Sequence, residues 1–257
     1  MVQGRKKMSD RILLKLGGSV ITDKKTDCAI NYEQLSFIAS AISARTESTV
    51  IIHGAGSCGH PEAKQYRLDK GAVADQTEGI FVTHRAVSRL NDAVVATFRE
   101  KGVAAMGVHP FHAAVADEGR LVAFEYRHLE KMLQLRMVPV IHGDVVMDLS
   151  RGACIVSGDQ LVRYLAVALK INRVGLATDV PGVLDGGLVV PEITQNLAPS
   201  LHIGNSKHTD VTGGMRGKIN ELLGLASAGI GSDIFHVSRI GDFLSGTDHG
   251  GTKIKGD

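Results

Sequence analysis

Short apolar runs that end in glycine recur along this chain, and a stretch with helical character follows each of them. The three clearest are Ile12–Leu16 before Gly17-Gly18, Thr49–His53 before Gly54-Ala55-Gly56, and Val138–His142 before Gly143-Asp144. Continuous apolar runs of this length are typical of strands buried on both faces, and glycine lets the chain turn sharply where a strand ends. Strands that alternate with helices in this way predict an α/β fold, with a mainly parallel sheet covered by helices on both faces.

The other elements follow from apolar periodicity and capping residues. Asn31, with Gln34 three residues later, predicts the start of a helix whose apolar stripe begins at Leu35. A hairpin is predicted around Asp185-Gly186-Gly187. Further helices are predicted at residues 78–101, 126–136, 157–170 and 212–228, and further strands at residues 103–108, 173–178, 233–237 and 251–254, the last of them at an edge of the sheet.

Length, composition and charge exclude several classes of protein. The 257 residues suit a single domain, 1–257, with an N-terminal lobe of about residues 10–170 and a C-terminal lobe of about residues 171–257. A net charge of +2 and an aromatic fraction of 4% argue against a nucleic-acid interface. No apolar run reaches the ~18 residues that a membrane span needs, and the polar N-terminus lacks the core of a signal peptide. We therefore expect a cytoplasmic protein without nucleic-acid or membrane partners.

The cysteines Cys28, Cys58 and Cys154 match no zinc-binding spacing, and their odd number argues against a disulfide framework. We expect all of them to be reduced thiols, as is usual in the cytoplasm. We also predict no set of metal-ligating side chains in the chain.

Lys15 stands inside the first apolar strand, where a cation is costly unless an anion meets it. The alternative is a lysine whose stem is buried while its ammonium group reaches water. Gly17-Gly18-Ser19 follows directly, and a glycine turn beside a lysine can hold phosphate. Lys24, further along the same segment, is either a second phosphate ligand or a solvated surface charge.

The second strand ends in a glycine-rich turn that closes with a histidine, Gly54-Ala55-Gly56-Ser57-Cys58-Gly59-His60. Glycines let backbone N–H groups approach an anion without a Cβ in the way, and such groups at the start of a helix form an anion site. His60 would add a side-chain donor at the rim of that site. Its alternative role is a hydrogen bond that only stabilises the turn.

Asp144, Asp159 and Asp179 follow strands or begin helices. Helix N-capping is the ordinary role at such positions, and it is the first interpretation of Asp159. The alternatives are that these aspartates orient lysines or a nucleotide, or hold water around Mg²⁺. Residues 210–218 form a second glycine-rich helix start with Lys218 one turn inside, which favours a phosphate site over a flexible loop. Two such sites in two halves predict phosphoryl transfer, which needs mainly positioning and positive charge.

Together these motifs resemble those of the amino acid kinase superfamily, and within it the branch of the isopentenyl phosphate and fosfomycin kinases. Residues 15–24 are similar to the family's opening Lys-x-Gly-Gly-Ser-x-Ile-Thr-x-Lys, and residues 53–60 to its His-Gly-(Ala/Gly)-Gly-Ser-Phe-Gly-His. Further matches lie at residues 140–145, 157–160, 178–180 and 210–215. The matches occur in order along nearly the whole chain.

The resemblance implies a three-layer αβα sandwich, usually a homodimer, that transfers the γ-phosphoryl group of ATP, with Mg²⁺, to isopentenyl phosphate in isoprenoid biosynthesis. It implies that Lys15 and Lys24 stabilise charge on the transferring group and that His60 binds the acceptor phosphate, so that these are the catalytic residues. The acceptor-binding residues would be Gly54, Ala55, Gly56, Gly59 and His60, in the N-terminal lobe. The ATP-binding residues would be Lys15, Gly17, Gly18, Ser19, Asp179, Gly214 and Lys218, with the nucleotide mainly on the C-terminal lobe.

The chain departs from the family pattern at three places. Cys58 replaces a phenylalanine, which predicts looser packing beneath the turn. Asp179-Val180-Pro181-Gly182 replaces Asp-Val-Asp-Gly, which removes a carboxylate near the nucleotide, and the segment after it is short. The alternative functions are a fosfomycin (phosphonate) kinase and a non-catalytic nucleotide- or anion-binding protein. In the kinase, the pocket for the acceptor's tail is expected to be apolar and to draw on the helix at residues 78–98.

Overall fold

The computed structural model describes residues 10–23, 28–44, 48–72, 76–202 and 214–257 of the chain. Lys24 and residues 210–213 of the second glycine-rich motif lie outside the described residues. Within the described part, the strands are β1 (Ile12–Leu16), β2 (Thr49–His53), β3 (Ala105–Val108), β4 (Ala114–Asp117), β5 (Arg120–Phe124), β6 (Val138–His142), β7 (Asp144–Asp148), β8 (Gly152–Val156), β9 (Arg173–Thr178), β10 (Leu184–Asp185), β11 (Leu188–Val189), β12 (Glu192–Ile193), β13 (Ser232–His236) and β14 (Thr252–Ile254).

The four shortest helices were not predicted from the sequence, and the other five are at or near the predicted positions. All of the described helices lie between these strands. They are α1 (Gly18–Ile21), α2 (Tyr32–Ser43), α3 (His60–Gln65), α4 (Thr77–Glu100), α5 (Pro110–Ala113), α6 (Arg127–Gln134), α7 (Gly158–Ala168), α8 (Gly214–Ala226) and α9 (Ile240–Ser245). The predicted start of α2 is confirmed, because the Asn31 side chain accepts a hydrogen bond from the Gln34 backbone N–H at 3.0 Å. The predicted hairpin around Gly186-Gly187 is also confirmed, as β10 and β11 pair antiparallel.

The central sheet has eight strands in the order β12-β14-β13-β9-β1-β2-β6-β3. The six strands from β13 to β3 are parallel, and β14 pairs antiparallel with β13. This arrangement confirms the predicted α/β class with a mainly parallel sheet. The prediction that residues 251–254 form an edge strand is wrong, because β12 pairs with β14 on its outer side.

Alternate side chains of β1 enter different layers of the sandwich. Ile12, Leu14 and Leu16 belong to an apolar cluster with residues of α2, α4 and α9. Leu13 belongs to a second cluster with residues of α6, α7 and α8 on the other face of the sheet. Helices therefore cover both faces, as a three-layer αβα sandwich requires. Because side chains alternate along a strand, Lys15 lies on the same face as Leu13, toward α7 and α8.

A second, four-stranded sheet with the order β5-β4-β7-β8 was not predicted from the sequence. It packs beside the central sheet and adds antiparallel pairs to the fold. Its β4–β5 connection is a tight turn in which Glu118 and Gly119 have φ values of 49° and 80°. Positive φ at both central residues is typical of hairpin turns. A non-glycine residue at the first of these positions made the turn hard to recognise.

Cys28 and Cys58 form a disulfide bond, with 4.2 Å between their Cα atoms, so the prediction of three reduced thiols is wrong. The bond is possible because the chain doubles back, through a bridge between Thr22 and Ile30, beside the turn that contains Cys58. Ser57 N–H also donates to Thr22 Oγ1 at 3.0 Å and holds the two segments together. Cys58 is fully buried at the position where looser packing was expected. Cys154 is a buried free cysteine, and burial raises the pKa of its thiol to about 12.

Removing this disulfide is expected to destabilise the protein substantially. The bond joins residues 30 positions apart, and closing a loop of that length restricts the unfolded chain. We expect the double variant Cys28→Ser/Cys58→Ser to lose roughly 3–4 kcal/mol of unfolding free energy in urea titrations. Cys154→Ala is the matched control, since it removes the one thiol outside the bond. Three titratable thiols in unreduced, denatured wild-type protein, in place of one, would contradict the disulfide.

Candidate active site

The turns after four adjacent parallel strands, β9, β1, β2 and β6, meet at one edge of the central sheet. Gly17 N–H donates to Ala177 O at 2.9 Å, and Gly54 N–H donates to Leu16 O at 3.0 Å. Gly143 N–H donates to His53 O, also at 3.0 Å. Each turn is therefore tied to the end of the neighbouring strand. Ligands of parallel α/β sheets bind at this edge, beyond the carboxyl ends of the strands.

The glycine turns after β1 and β2 contact each other through their backbones. A Cβ atom on Gly18 would overlap the backbone of Gly56, and one on Gly54 would lie 2.9 Å from Gly18 N. Gly56 has a φ of +57° and lies directly against Thr22, so it also needs the conformational freedom of glycine. The structure therefore brings together the residues predicted to hold the donor phosphates and those predicted to hold the acceptor. Ser19 lies in α1 and Ala55 lies between the two glycines of the second turn.

Lys15 and Lys218 share one carboxylate, that of Asp159. Lys15 Nζ lies 2.5 Å from Asp159 Oδ1, and Lys218 Nζ lies 3.1 Å from Asp159 Oδ2. The three residues come from β1, α8 and α7, and both Lys15 and Asp159 are only 6% exposed. The structure thus joins a lysine of the first motif to a lysine of the last one. Lys15 points toward α7 and α8 because side chains alternate along β1. Lys218 lies one turn inside α8, so both ammonium groups reach Asp159 of α7.

Asp159 is not a helix N-cap. Ser157 has that role, because its side chain accepts a hydrogen bond from Gln160 N–H at 3.2 Å. The first interpretation of Asp159 is therefore wrong, and the alternative, an aspartate that orients lysines, is what the structure contains. The buried position is favourable only because two ammonium groups surround the carboxylate.

The electrostatics of this group leave an excess of positive charge beside the glycine turns. Burial lowers the pKa of Lys15 to about 8, although the Asp159 carboxylate acts in the opposite direction. Burial also acts to raise the pKa of Asp159, but Lys15 and Lys218 outweigh it and lower that pKa to about 2. At neutral pH two ammonium groups therefore face one carboxylate. A phosphate group brought to this edge would neutralise the remaining charge.

The other predicted site residues lie at the ends of elements that follow these strands or begin α8. Gly59 precedes α3, and His60 is the first residue of that helix. Asp179 is exposed directly after β9, and Gly214 begins α8 with a φ of +58°. The position of Lys24 beside Lys15 stays a prediction, because Lys24 lies outside the described residues.

A histidine group at the same edge was missed by sequence reasoning. His53 and His142 end β2 and β6, and His84 of α4 donates to Asp144, with 3.0 Å between His84 Nδ1 and Asp144 Oδ2. His109 connects to this group through His142, at 2.9 Å between ring nitrogens. The signal was present in the sequence, since two strands end in His-Gly. The polar face of α4 here differs from the apolar lining expected for a tail pocket.

Among the described residues, no group of three or more histidine, cysteine or acidic side chains is arranged to hold a metal ion. None of the helices in the described part of the chain combines the length and apolar character that crossing a membrane requires.

Comparisons with known proteins agree with this fold. The model of the amino acid kinase family matches residues 10–236. The isopentenyl phosphate kinase of Haloferax volcanii is 40% identical over 249 residues, which cover 96% of this chain and 99% of the relative. That of Methanothermobacter thermautotrophicus is 37% identical over 267 residues, with coverage of 95% and 99%. A chain from X-ray structures of isopentenyl phosphate kinase superposes with a TM-score of 0.83 at 33% identity, covering 95% of this chain and all of that one.

The fold, the paired glycine turns and the family match define the class: this chain belongs to the amino acid kinase family. Within that family it is a relative of the isopentenyl phosphate kinases, which confirms the resemblance drawn from its motifs.

Proposed function

We propose that this protein is a phosphotransferase that moves the γ-phosphoryl group of ATP to isopentenyl phosphate and forms isopentenyl diphosphate and ADP, a step of isoprenoid biosynthesis. The observation that carries the proposal is the sharing of Asp159 by Lys15 and Lys218 beside two contacting glycine turns. The identity of the acceptor is supported by the relatives, which match this chain over nearly their full length and are named isopentenyl phosphate kinases. The fosfomycin and non-catalytic alternatives are not favoured by these relatives.

In this proposal an acceptor phosphate oxygen attacks the γ-phosphorus while the bond to the ADP oxygen breaks, without a covalent enzyme intermediate. Lys15 and Lys24 balance the charge on the transferring group, and Lys218 contacts the donor phosphates. Asp159 orients Lys15 and Lys218. His60 and the turn Gly54–Gly56, with Gly59, hold the acceptor phosphate. The N-terminal lobe, about residues 10–170, then holds the acceptor, and the C-terminal lobe, about residues 171–257, holds most of the nucleotide. Asp179 and Gly214 are on the nucleotide side.

Three further parts of the proposal concern the setting of the reaction. Mg²⁺ would arrive with ATP, because this ion is usually held by substrate phosphates and a few carboxylates, and it would neutralise phosphate charge. Gly17, Gly18 and Ser19, in the turn after β1 and the start of α1, would contact that phosphate chain. We also propose a cytoplasmic homodimer, on the strength of the ATP requirement and the family resemblance. Loss of activity in excess EDTA tests the Mg²⁺ requirement, and sedimentation equilibrium tests the homodimer.

The activity is expected to decline at alkaline pH because of Lys15. The pKa of this lysine is about 8, so the ammonium form is present below that pH and is lost above it. We expect log kcat/KM for ATP to be flat near pH 7 and to fall with unit slope above about pH 8, because kcat/KM reports groups of the free enzyme. Steady-state kinetics from pH 6 to 10 measure this profile. A profile that stays flat to pH 10 would show that Lys15 is not the titrating group.

A panel of acceptors tests the proposed function. With saturating ATP and Mg²⁺, ADP release is followed with isopentenyl phosphate, with fosfomycin and without an acceptor. We expect acceptor-dependent release and a kcat/KM for isopentenyl phosphate far above that for fosfomycin. A ratio that favours fosfomycin would support the phosphonate kinase, and release that no acceptor stimulates would support a protein without turnover.

A further inference from the structure

His53 and His142 occupy equivalent positions at the ends of two neighbouring strands. They are paired in the register of β2 and β6, and each is followed by a glycine. Both side chains are fully buried, and their rings stack with 5.6 Å between centroids and 26° between planes. Alternation along the strands places both rings on the side of the sheet covered by α4. The catalytic roles proposed above use neither ring.

Each ring contacts the carbonyl oxygen of the glycine that follows it. His53 Nδ1 lies 3.0 Å from Gly54 O, and His142 Nδ1 lies 3.1 Å from Gly143 O. A carbonyl oxygen can only accept a hydrogen bond, so the hydrogen belongs to Nδ1 in both rings. Burial lowers the pKa of both histidines, and a neutral imidazole carries one ring hydrogen. Nε2 of each ring must then accept.

The partners of the Nε2 atoms can meet this requirement. His53 Nε2 lies 3.1 Å from Asn91 Oδ1, and the buried Asn91 amide nitrogen has no hydrogen-bond partner among the described residues. The amide orientation that satisfies both groups has Asn91 Nδ2–H donating to His53 Nε2. His142 Nε2 lies 2.9 Å from His109 Nδ1, which therefore donates to it. All four ring nitrogens of the stacked pair then have a suitable partner.

The hydrogen bond to Gly54 O determines the direction of the next peptide group. In a trans peptide the C=O and the following N–H point in opposite directions. Holding Gly54 O toward the buried ring of His53 therefore turns the Ala55 N–H away from the interior. Ala55 belongs to the turn that contacts Gly18 and that we assign to the acceptor phosphate.

We propose that His53 and His142 are positioning residues, which act as a neutral stacked pair in the Nδ1–H form and fix the peptide groups that follow β2 and β6. His53 aims the Ala55 N–H at the acceptor phosphate, and His142 supports it by packing and by holding Gly143. The effect on catalysis rests on the proposed function, because it assumes that this turn binds the acceptor. The hydrogen-bonding form of the two rings does not depend on that function.

Long-range ¹H–¹⁵N NMR of histidine-labelled protein at pH 7.5, without ligands, tests the form of the rings. The ring signals of His53 and His142 are assigned through bonds from the sequentially assigned backbone signals of these residues in uniformly ¹³C/¹⁵N-labelled protein. We expect both rings to be neutral with the hydrogen on Nδ1. An Nε2–H form or an imidazolium at His53 would overturn the proposal, whatever the protein phosphorylates.

Two substitutions at His53 test the positioning role, because each puts an amide group at the place of only one of the two ring nitrogens. His53→Asn retains a donor at the place of Nδ1, whereas His53→Gln reaches the place of Nε2. We expect kcat/KM for isopentenyl phosphate to fall about tenfold more in His53→Gln than in His53→Asn, with the KM for ATP nearly unchanged in both. If kcat/KM falls equally in the two variants, and for both substrates, His53 has only a structural role. If the variants do not fold, the ring forms in the wild-type protein decide.

The kinetic and spectroscopic results separate this proposal from the proposed function. Wild-type protein that is inactive with isopentenyl phosphate, but has both rings in the Nδ1–H form, would refute the function and retain the ring assignment. Wild-type protein that is active with isopentenyl phosphate, but has an Nε2–H ring at His53, would support the function and refute the ring assignment.

Discussion

Replacing Lys15 by methionine is expected to lower kcat by roughly 10²–10³-fold, the usual cost of removing one group that stabilises transition-state charge. The KM for ATP should rise much less, because the charge of Lys15 is needed most when the phosphoryl group is in transit. Methionine preserves most of the buried stem, and Asp159 keeps its contact with Lys218 at 3.1 Å. The loss should therefore come from charge rather than from unfolding.

Steady-state kinetics and thermal unfolding of Lys15→Met measure this effect. Lys131→Met is the matched control, because Lys131 is exposed on α6 and bonds to Gln134. Lys15→Arg should not restore activity, since a Cβ at Gly158 would already lie 3.2 Å from Lys15 Cε and the space is narrow. A change confined to the KM for ATP would make Lys15 a binding residue only.

The second large effect on activity is expected at His60, which we assign to the acceptor phosphate. His60→Ala should lower kcat/KM for isopentenyl phosphate by roughly 10–100-fold, as expected for the loss of one hydrogen bond to a charged group. His60→Gln should retain part of the activity, because its amide keeps a neutral donor. Titrations of each substrate at saturating levels of the other separate the acceptor effect from any effect on ATP.

His128→Ala is the control for this experiment, since His128 stacks on Phe124 and has no role in the proposed mechanism. Activity of His60→Ala equal to that of the wild type would remove His60 from the site. A decrease in ATP affinity alone would move His60 to the donor side.

The sequence predicted those features that depend on local pattern. The continuous apolar run of β1 predicted a strand buried on both faces, and its side chains do enter both apolar clusters. Glycine at positions 18, 54 and 56 predicted close turns, and the structure places these turns in contact. The meeting of Lys15 with Lys218 could be suspected from two separate phosphate motifs, but the choice of Asp159 as their common partner could not.

The remaining features depend on contacts between distant segments. The Cys28–Cys58 bond forms because residues 22 and 30 pair and bring Cys28 beside the turn that contains Cys58, which no cysteine spacing reveals. The four-stranded sheet is built from short strands whose pairing joins residues 114–124 to residues 144–156. His53 and His142 carry a visible His-Gly signal, but its meaning appears only when β2 and β6 are known to be neighbours.

The central claim is that Lys15 and His60 serve two phosphate groups that face each other at one edge of the sheet. A crystal structure with isopentenyl phosphate, Mg²⁺ and a non-hydrolysable ATP analogue tests it most directly. We predict Lys15 Nζ and a His60 ring nitrogen within about 3 Å of oxygens on the γ-phosphate and the acceptor phosphate, respectively. A complex with both ligands bound and either side chain beyond hydrogen-bonding reach of every phosphate oxygen would contradict the account.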